Sequence, residues 1–413
     1  MKFTAFAIGS MGDVQPFIFL GKELKKRGHE FSIATFYDYK KSIEEAGLKY
    51  KLIEGNVEIM MRTLLSERKN SKKSSGINGL KKVLKSNPNL YENLNNACEN
   101  TDVIIYMQFG AIAYHFAEKR NIQCIRTFVF PSDPTSMYSA MMPMVPRNTA
   151  KCKRTYKMVD LCMNAGSIQQ VNQWRKKLKL KKWHYWSSYK KIYKKPILTL
   201  YQYSEHIVPR DPKWKSNIYI TGPWEDNKEE KFIPDKRLEE FLRNGEPPIF
   251  IGFGSMIYSK MPEVQKMILE ALKKSGQRAI LGSGWSKFEE EHSSENVFYI
   301  DYVPYKWLFK YVKAVVHHGG AGTTHLGLKM GKPTLILPFG ADQMFWGKQI
   351  EFLNLGPEPI SIKNPELTSD VLAKKLLELN NKEYEKNAKI ISKKLQKEDG
   401  VRYGCDIIEK EIL

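Results

Sequence analysis

The chain has 413 residues, of which 42% are hydrophobic and 27% are charged, a composition that excludes fibrous and disordered proteins. Its length favours two domains, and no apolar run approaches the roughly 20 residues that a membrane-spanning helix needs. The formal net charge of +21 makes anionic ligands, anionic lipid and nucleic acid the partner classes to consider.

In the first half, short apolar runs alternate with helical patterns, which indicates βαβ units and a parallel sheet. After the first predicted strand, the apolar residues from Val14 onward recur at helical spacing, and Gly28 is suited to end that helix. The predicted strands of this half cover residues 3–8, 31–35, 103–107, 124–130 and 218–221.

A proline and charge cluster at 222–236 interrupts the apolar pattern, and a second series of strands and helices follows it. The second-half strands are predicted at 248–255, 279–282, 297–300, 314–318 and 334–338. We therefore predict an α/β protein of two facing Rossmann-like domains, with parallel sheets and helices on both faces. The predicted divisions are a first domain at residues 1–222, a linker at 223–247, a second domain at 248–390, and a C-terminal helix at 391–413 that returns to the first domain.

Two glycine-rich turns follow strands of the second half, GFGSM at 252–256 and HHGGAGTT at 317–324. Backbone amides and the positive end of a helix dipole make such a turn an anion site, and ligands of parallel sheets bind beyond the carboxyl ends of strands. The alternative is that the glycines only allow a tight strand-to-helix turn. Adjacent strand residues point to opposite faces, so His318 is the histidine expected to enter the turn, while His317 is packed.

A third strand of the second half ends at PFGADQMFWG, residues 338–347, where Asp342 and Gln343 stand side by side. Their acceptors and donors suit the vicinal hydroxyls of a sugar. The alternative is that Asp342 is the N-cap of a helix.

In this order, GFGS, YVPYKWLF, HHGGAGTT and PFGADQMFWG resemble the donor half of GT-B glycosyltransferases, in the sterol and antibiotic glycosyltransferase branch of the UDP-glycosyltransferase superfamily. The opening segment 9–30 resembles that of the same branch. The resemblance implies transfer of a hexose, glucose above all, from UDP to a hydroxyl of a lipophilic acceptor, with inversion and with no cofactor or metal.

The resemblance also assigns donor roles. His318 and the two glycine turns would meet the diphosphate, Tyr302 and Val303 the base, and Asp342 and Gln343 the sugar. The residues implied around the nucleotide and diphosphate are Gly254, Ser255, Tyr302, Val303, His318, Gly320, Gly322 and Thr323. Leu326 stands where plant-type relatives carry a glutamate for the ribose, which leaves both UDP and dTDP open as the nucleotide.

Asp13 is the catalytic base that the resemblance implies, and Ser10 and Met11 beside it belong to the acceptor side. The alternative is that Asp13 caps the helix beginning at Val14. A helix N-terminus would keep this carboxylate ionised and make it a weak base. Met137 and Tyr138 are further acceptor candidates, in a variable middle region that the resemblance does not cover.

Between Arg147 and Lys195 the sequence is strongly basic, with the single acid Asp160, and aromatic residues such as Trp183 are interleaved. Residues 175–195 suit contact with an anionic membrane surface, and the alternative is a solvated basic face that covers core aromatics. Nucleic acid is not expected, because no recognised motif accompanies the charge.

The other six histidines have no partner at ligand or triad spacing and are expected at the surface or satisfied in the core: His29, His115, His184, His206, His292 and His325. The five scattered cysteines predict neither a disulfide framework nor a zinc site, so a cytoplasmic protein, peripheral at the inner face of the membrane if the basic stretch binds it, is expected. A catalytically silent nucleotide-sugar or nucleic-acid binding protein is the competing function.

Overall fold

The computed structural model describes residues 1–60, 82, 87–140, 145–184, 192, 195–226, 231–284, 295–340 and 342–413. The chain divides into two compact units, each of which is described by itself. The first comprises Met1–Tyr203, Arg210–Asp226 and Asp399–Leu413, and the second comprises Ser204–Pro209 and Asn227–Glu398.

A parallel sheet with the strand order β3-β2-β1-β4-β5-β6-β7 forms the centre of the first unit. Its strands are β1 (Lys2–Phe6), β2 (Glu30–Thr35), β3 (Lys49–Leu52), β4 (Val103–Tyr106), β5 (Gln123–Phe128), β6 (Leu198–Tyr201) and β7 (Ile218–Ile220). The described α-helices are α1 (Met11–Lys26), α2 (Lys40–Glu45), α3 (Leu90–Ala97), α4 (Tyr114–Arg120), α5 (Ala150–Lys177) and, from the end of the chain, Gly400–Ile412.

The second unit contains a parallel sheet with the order β10-β9-β8-β11-β12. Its strands are β8 (Ile249–Gly252), β9 (Ala279–Gly282), β10 (Val297–Ile300), β11 (Ala314–His317) and β12 (Thr334–Ile336). The described helices of this unit are α6 (Lys236–Arg243), α7 (Met261–Ser275), α8 (Tyr305–Leu308), α9 (Ala321–Lys329), α10 (Gln343–Phe352), α11 (Ser369–Glu378) and α12 (Lys382–Leu395). The terminal helix Gly400–Ile412, which belongs to the first unit, is α13.

The strand orders fix where ligands can bind. In each sheet the chain starts at a central strand, proceeds to one edge and then returns to the other side of that strand. The two switch points lie between β1 and β4 and between β8 and β11, and parallel sheets bind ligands in the crevice beyond the carboxyl ends at such points. The segments that follow β1, β8 and β11 carry Asp13, GFGS and HHGG, respectively.

Two strands were absent from the predicted set. The sequence of β3 is KYKL, which lacks the apolar run expected of a strand. Its Lys51 points inward, and the Nζ atom donates to the Ala97 carbonyl at 2.7 Å. All four residues of β6 are buried, and this strand directly follows the basic stretch that ends at Lys195. The chain also forms α6 within the segment 223–247 that was predicted to be a linker.

The last helix lies in the first unit, where it packs on α1. Arg27 Nη1 is 2.7 Å from Asp406 and 2.8 Å from Glu409, and Cys405 is buried in the first core. The helix begins at Gly400, and glycine is required there because a Cβ would lie 2.3 Å from the Pro223 carbonyl oxygen. All five cysteines are free thiols.

Candidate functional site

Asp13 lies on the first turn of α1, just beyond the end of β1. The helix begins at Met11 with Ser10 as its N-cap residue, so the predicted start at Val14 was wrong and Asp13 is not the cap. Its Oδ2 accepts a hydrogen bond from the backbone N–H of Ser10 at 2.7 Å and from the Ser10 hydroxyl at 3.1 Å. This reach back to the N-cap residue is the acidic half of a capping box, which fixes the carboxylate in one orientation.

Gly9 provides the space that the Asp13 carboxylate occupies. A Cβ added at Gly9 would lie 2.1 Å from Asp13 Oδ2, which is closer than two non-bonded atoms can approach. At Gly12, on the same turn, the nearest atom to an added Cβ is the Ser10 hydroxyl oxygen at 3.5 Å. Glycine is therefore required at position 9 by the carboxylate itself, and position 12 has no such constraint.

Burial raises the pKa of Asp13 from 3.8 to about 6, although the two hydrogen bonds from Ser10 oppose the shift. The expectation that the helix terminus would make this carboxylate a weak base was therefore wrong, because desolvation outweighs the helix dipole here. Both hydrogen bonds end on Oδ2, and among the described residues none donates to Oδ1. Oδ1 is thus the oxygen that no donor of the described residues occupies.

His317 and His318 have different surroundings, as the alternation of side chains along a strand predicts. His317 ends β11 and is fully buried, and its Nδ1 accepts a hydrogen bond from the N–H of Gly319 at 3.0 Å. Burial and the neighbouring His318 hold the pKa of His317 well below its ordinary value. His317 therefore shapes the turn as a neutral acceptor inside the protein.

His318 lies between the two glycine turns. A Cβ at Gly320 would be 2.6 Å from His318 Nε2, and a Cβ at Gly254 would be 3.4 Å from its Cε1. The His318 Nδ1 atom is buried and has no hydrogen-bond partner among the described residues. Burial lowers the pKa of His318 to about 4, so at neutral pH the imidazole is uncharged and can donate one hydrogen bond.

Helix α9 starts immediately after this turn, with Gly320 as its N-cap residue. The first N–H groups of a helix have no intrahelical partner and attract anions. Gly322 is exposed on this first turn, and no atom lies within 4 Å of a Cβ placed there. The protein's own packing therefore does not require a glycine at this position.

The GFGS turn joins the same glycine cluster. Gly254 has a φ of +56°, which favours glycine, and a Cβ on Gly284 would lie 2.3 Å from the Gly254 carbonyl oxygen. Ser255 follows on this turn and is half-buried. The structure therefore brings together the two motifs that the sequence placed at separate strand ends.

Asp342 and Gln343 begin α10 and differ in their surroundings. Asp342 occupies the N-cap position, but its side chain makes no capping hydrogen bond. Gln343 is buried, and its Oε1 accepts from the backbone N–H groups of Phe339 at 2.7 Å and Gly340 at 3.2 Å. Its oxygen thus holds the loop after β12, and its amide nitrogen, 3.1 Å from the sulfur of Met256, is the part of Gln343 that a sugar could engage.

Tyr302 and Val303 follow β10 with opposite exposure. Tyr302 is 77% exposed, so its ring presents a face on which a nucleotide base could stack. Val303 belongs to the buried cluster of the second unit, and Leu326 packs against the same cluster. Leu326 therefore serves the core, and its side chain offers no acceptor to a ribose hydroxyl.

The acceptor-side candidates differ in how far they are buried. Met11 is partly buried against the first core, and Met137 is half-buried. Tyr138 is buried, with the guanidinium of Arg147 lying 5.4 Å from its ring centroid. Tyr138 thus packs inside the segment instead of presenting its ring to a ligand.

A buried ion pair near these residues was missed at the sequence level. Arg126 on β5 donates to Asp133 at 2.7 Å, and both side chains are buried. The Tyr201 hydroxyl donates to the other oxygen of Asp133 and accepts from the backbone N–H groups of Ser132 and Asp133. The signal was an arginine inside an otherwise apolar strand, because a buried charge needs a partner, and the pair anchors the start of the segment that contains Met137.

His325 is a satisfied core histidine, as its lack of sequence partners predicted. Its Nε2 accepts from the backbone N–H of Ser204 at 3.1 Å, and its Nδ1 donates to the Ala321 carbonyl at 2.7 Å. Burial lowers its pKa to about 4. His115 is likewise buried, with Arg175 donating to its Nδ1 at 3.0 Å.

The basic stretch at 175–195 is only partly described, and its described residues differ in burial: Arg175 and Trp183 are buried, whereas Lys176, Lys177, Lys179, Lys181 and Lys182 are exposed. Arg175 is buried and pairs with Glu118 at 2.7 Å, while Trp183 is buried beneath the Arg175 guanidinium. Lys195 donates to the Tyr114 hydroxyl at 2.5 Å. Arg175 and Trp183 are therefore not available to a membrane surface, and the contact predicted for the exposed lysines of this stretch stays a prediction. The aromatic residues between 185 and 193 lie outside the described residues.

Comparisons with known proteins identify the fold and the family. Residues 3–139 match the family described as Glycosyltransferase family 28 N-terminal domain, and residues 285–399 match that described as Erythromycin biosynthesis protein CIII-like, C-terminal domain. The crystal structure of the glycosyltransferase of kitacinnamycin matches with a TM-score of 0.72 and 17% identity, covering 99% of this chain and 98% of that one. The calicheamicin glycosyltransferase CalG4 matches with a TM-score of 0.71 and 15% identity over 99% and 97% of the two chains. The protein is therefore a glycosyltransferase with the GT-B fold.

Sequence relatives place it more narrowly. It is 32% identical to the sterol 3-beta-glucosyltransferase UGT80B1 of Arabidopsis thaliana, with 100% of this chain and 68% of the relative aligned. A sterol 3-beta-glucosyltransferase of Cryptococcus neoformans is also 32% identical over 100% of this chain, which spans only 27% of that longer relative. The chain belongs to the sterol glucosyltransferase family.

Proposed function

We propose that this enzyme transfers glucose from UDP-glucose to the 3β-hydroxyl of a sterol, with inversion at the anomeric carbon and without a bound metal. The observation that carries the proposal is the half-buried Asp13 carboxylate, which lies against Gly9 and has its pKa raised to about 6. The names of the relatives support the choice of glucose and of a sterol, since the Arabidopsis and Cryptococcus relatives are both named sterol 3-beta-glucosyltransferases.

The proposed chemical step begins at Asp13. Oδ1 takes the proton of the sterol hydroxyl as the hydroxyl oxygen forms a bond to the anomeric carbon of glucose. The bond from that carbon to the diphosphate oxygen breaks, and UDP leaves with the electron pair. A base with a pKa near 6 is mostly ionised at neutral pH and still accepts a proton readily, which is the compromise that general base catalysis favours.

The second unit would hold the leaving diphosphate mainly through neutral donors. His318 has a lowered pKa and offers one ring N–H, while the first turn of α9 offers backbone N–H groups beside the open space at Gly322. Such fixed donors stabilise charge that develops as the sugar departs. Asp342 and the Gln343 amide are the groups proposed to contact the sugar hydroxyls.

The nucleotide is the least constrained part of the proposal. A neighbouring structure with 15% identity and a TM-score of 0.63, a Streptomyces glycosyltransferase named SsfS6, is complexed with thymidine diphosphate. Leu326 of this chain packs in the core and gives no acidic contact to a ribose. UDP-glucose and dTDP-glucose must therefore be compared directly as donors.

The decisive experiment incubates the full chain with each sugar nucleotide and a sterol, and identifies the product by mass spectrometry and by the anomeric coupling constant in its NMR spectrum. We expect a β-linked steryl glucoside from UDP-glucose, a rate unchanged by EDTA, and a large loss of turnover in Asp13→Asn. An α-linked product, or full turnover in Asp13→Asn, would overturn the mechanism. UDP affinity measured by calorimetry should fall in His318→Ala, and an unchanged affinity would remove His318 from the donor site.

A further inference from the structure

The long helix α5 carries a cationic surface near its start. Lys151, Lys153, Arg154 and Lys157 are all exposed, and Met158 among them is 43% exposed. At helical spacing these residues lie along one side of the helix. We call these five residues the basic face.

The cations of the basic face lack a carboxylate partner. Some exposed basic side chains on other helices have a carboxylate one turn away, as in the pairs Arg243–Glu239 and Lys389–Glu385. Within the described part of the chain, no cation of the basic face lies within ion-pair distance of a carboxylate. Lys153 and Lys157 are instead like charges four residues apart, an arrangement that disfavours the helix.

The helix dipole makes the same arrangement more unfavourable. The first turn of α5 contains no acidic residue, although acidic side chains are the ones that stabilise a helix N-terminus. The cations of the basic face lie at this positive end, so they weaken the isolated helix. Their placement is therefore explained by an anionic partner better than by the stability of the fold.

The opposite side of the same helical turns holds the predicted acceptor segment. The Thr155 hydroxyl oxygen accepts from the backbone N–H of Ala140 at 2.7 Å, and Tyr156 donates to the Pro131 carbonyl. Cys152 donates to the Pro146 carbonyl at 3.3 Å. The basic face and the segment that contains Met137 are thus two sides of one packed layer within the first unit.

We propose that the basic face of α5 docks the enzyme on an anionic lipid bilayer, with the cations meeting acidic headgroups and Met158 entering the interfacial region. A bilayer offers both negative charge and hydrocarbon, and the basic face contains a partner for each. Nucleic acid offers the charge without the hydrocarbon. The docking surface lies at the start of α5, apart in sequence from the stretch at 175–195, where Arg175 and Trp183 are buried and Lys176, Lys177, Lys179, Lys181 and Lys182 are exposed.

The test measures flotation of the full chain with vesicles of phosphatidylcholine alone or mixed with phosphatidylserine. Each basic side chain near an anionic surface contributes roughly a factor of five in partitioning, so the triple variant Lys153→Glu, Arg154→Glu, Lys157→Glu should bind the mixed vesicles at least about a hundredfold more weakly. The matched control, Lys386→Glu, Lys393→Glu, Lys394→Glu, makes the same charge change at exposed positions of α12 and should bind like wild type.

Other outcomes separate the explanations. Failure of the wild type to bind mixed vesicles, or an equal loss in both triple variants, overturns the proposal. Binding of a labelled oligonucleotide that only the α5 variant loses, with no vesicle binding, would assign the face to nucleic acid. Vesicle binding does not depend on catalysis, so it tests the docking surface even if the proposed sterol transfer fails. If both hold, the α5 variant should lose activity on sterol in vesicles and keep it on cyclodextrin-solubilised sterol.

Discussion

Replacing Asp13 by Asn should make the protein more stable and less active. Burial raises the pKa of this carboxyl from 3.8 to about 6, so the folded protein holds the ionised form at a cost. A shift of about two units corresponds to about 3 kcal/mol, at about 1.4 kcal/mol per unit. Asn is neutral and nearly the same shape, and its side-chain oxygen can still accept the two hydrogen bonds that Ser10 donates.

The new amide group of Asn needs a partner in place of Oδ1, which reduces the gain. We therefore expect Asp13→Asn to raise the free energy of unfolding by about 1 to 3 kcal/mol at pH 7. The pKa of Asp13 is higher in the folded protein than in the unfolded chain, so its ionisation lowers the free energy of unfolding of the wild type. This cost is absent below the unfolded pKa near 4 and grows as the pH rises towards about 6. The advantage of the variant should grow across that window and stay constant above it.

Urea denaturation at a series of pH values from about 4 to 7.5 measures the difference, with Gly12→Ala on the same helical turn as the control. Turnover with the sterol acceptor should fall by about 10² to 10⁴ in the same variant, since a general base contributes that much. A variant that is less stable than wild type at pH 7, or a stability difference that does not change with pH, would refute the assignment of the raised pKa to burial.

Three further predictions concern the same two sites. The kcat/KM of the wild type should fall as the pH drops below about 6, since protonated Asp13 cannot accept a proton, and a flat profile between pH 5 and 8 would contradict this. Gly9→Ala should lower kcat at least tenfold because its methyl group displaces the carboxylate 2.1 Å away, whereas Gly12→Ala should have nearly wild-type kinetics. Gly322→Ala should leave the melting temperature unchanged or slightly higher, because the added methyl has open space, and should weaken UDP binding in calorimetry; unchanged affinity would place the diphosphate elsewhere.

The sequence was sufficient to predict the architecture and the turns that carry the motifs. Parallel strands buried on both sides read as short apolar runs, and β9 and β10 were predicted with their observed bounds. The sequence also allowed the clustering of the glycine turns to be predicted, because the turns after β8 and β11 are adjacent at a switch point in any sheet of this strand order. The prediction failed for β3, where an inward-pointing lysine breaks the apolar pattern.

The electrostatic properties of the site could not be predicted in the same way. The pKa of Asp13 depends on how closely the surrounding chain excludes water, and a helix-terminus argument from sequence gave the opposite direction. The role of Arg126 depends on Asp133 and Tyr201, which only the folded sheet brings to it. Local pattern determines where a motif lies, whereas charge state and partners are set by residues distant in the sequence.

The protein has a net charge of +21, yet the histidines of its proposed donor site are held neutral by burial. A diphosphate there would be bound by backbone N–H groups of α9 and a neutral imidazole, within a short range that dissolved salt screens weakly. The basic face of α5 uses exposed cations, whose attraction to an anionic surface salt screens strongly. The two anion-binding surfaces should therefore respond differently to ionic strength, so that added salt releases the enzyme from vesicles while its affinity for UDP changes much less.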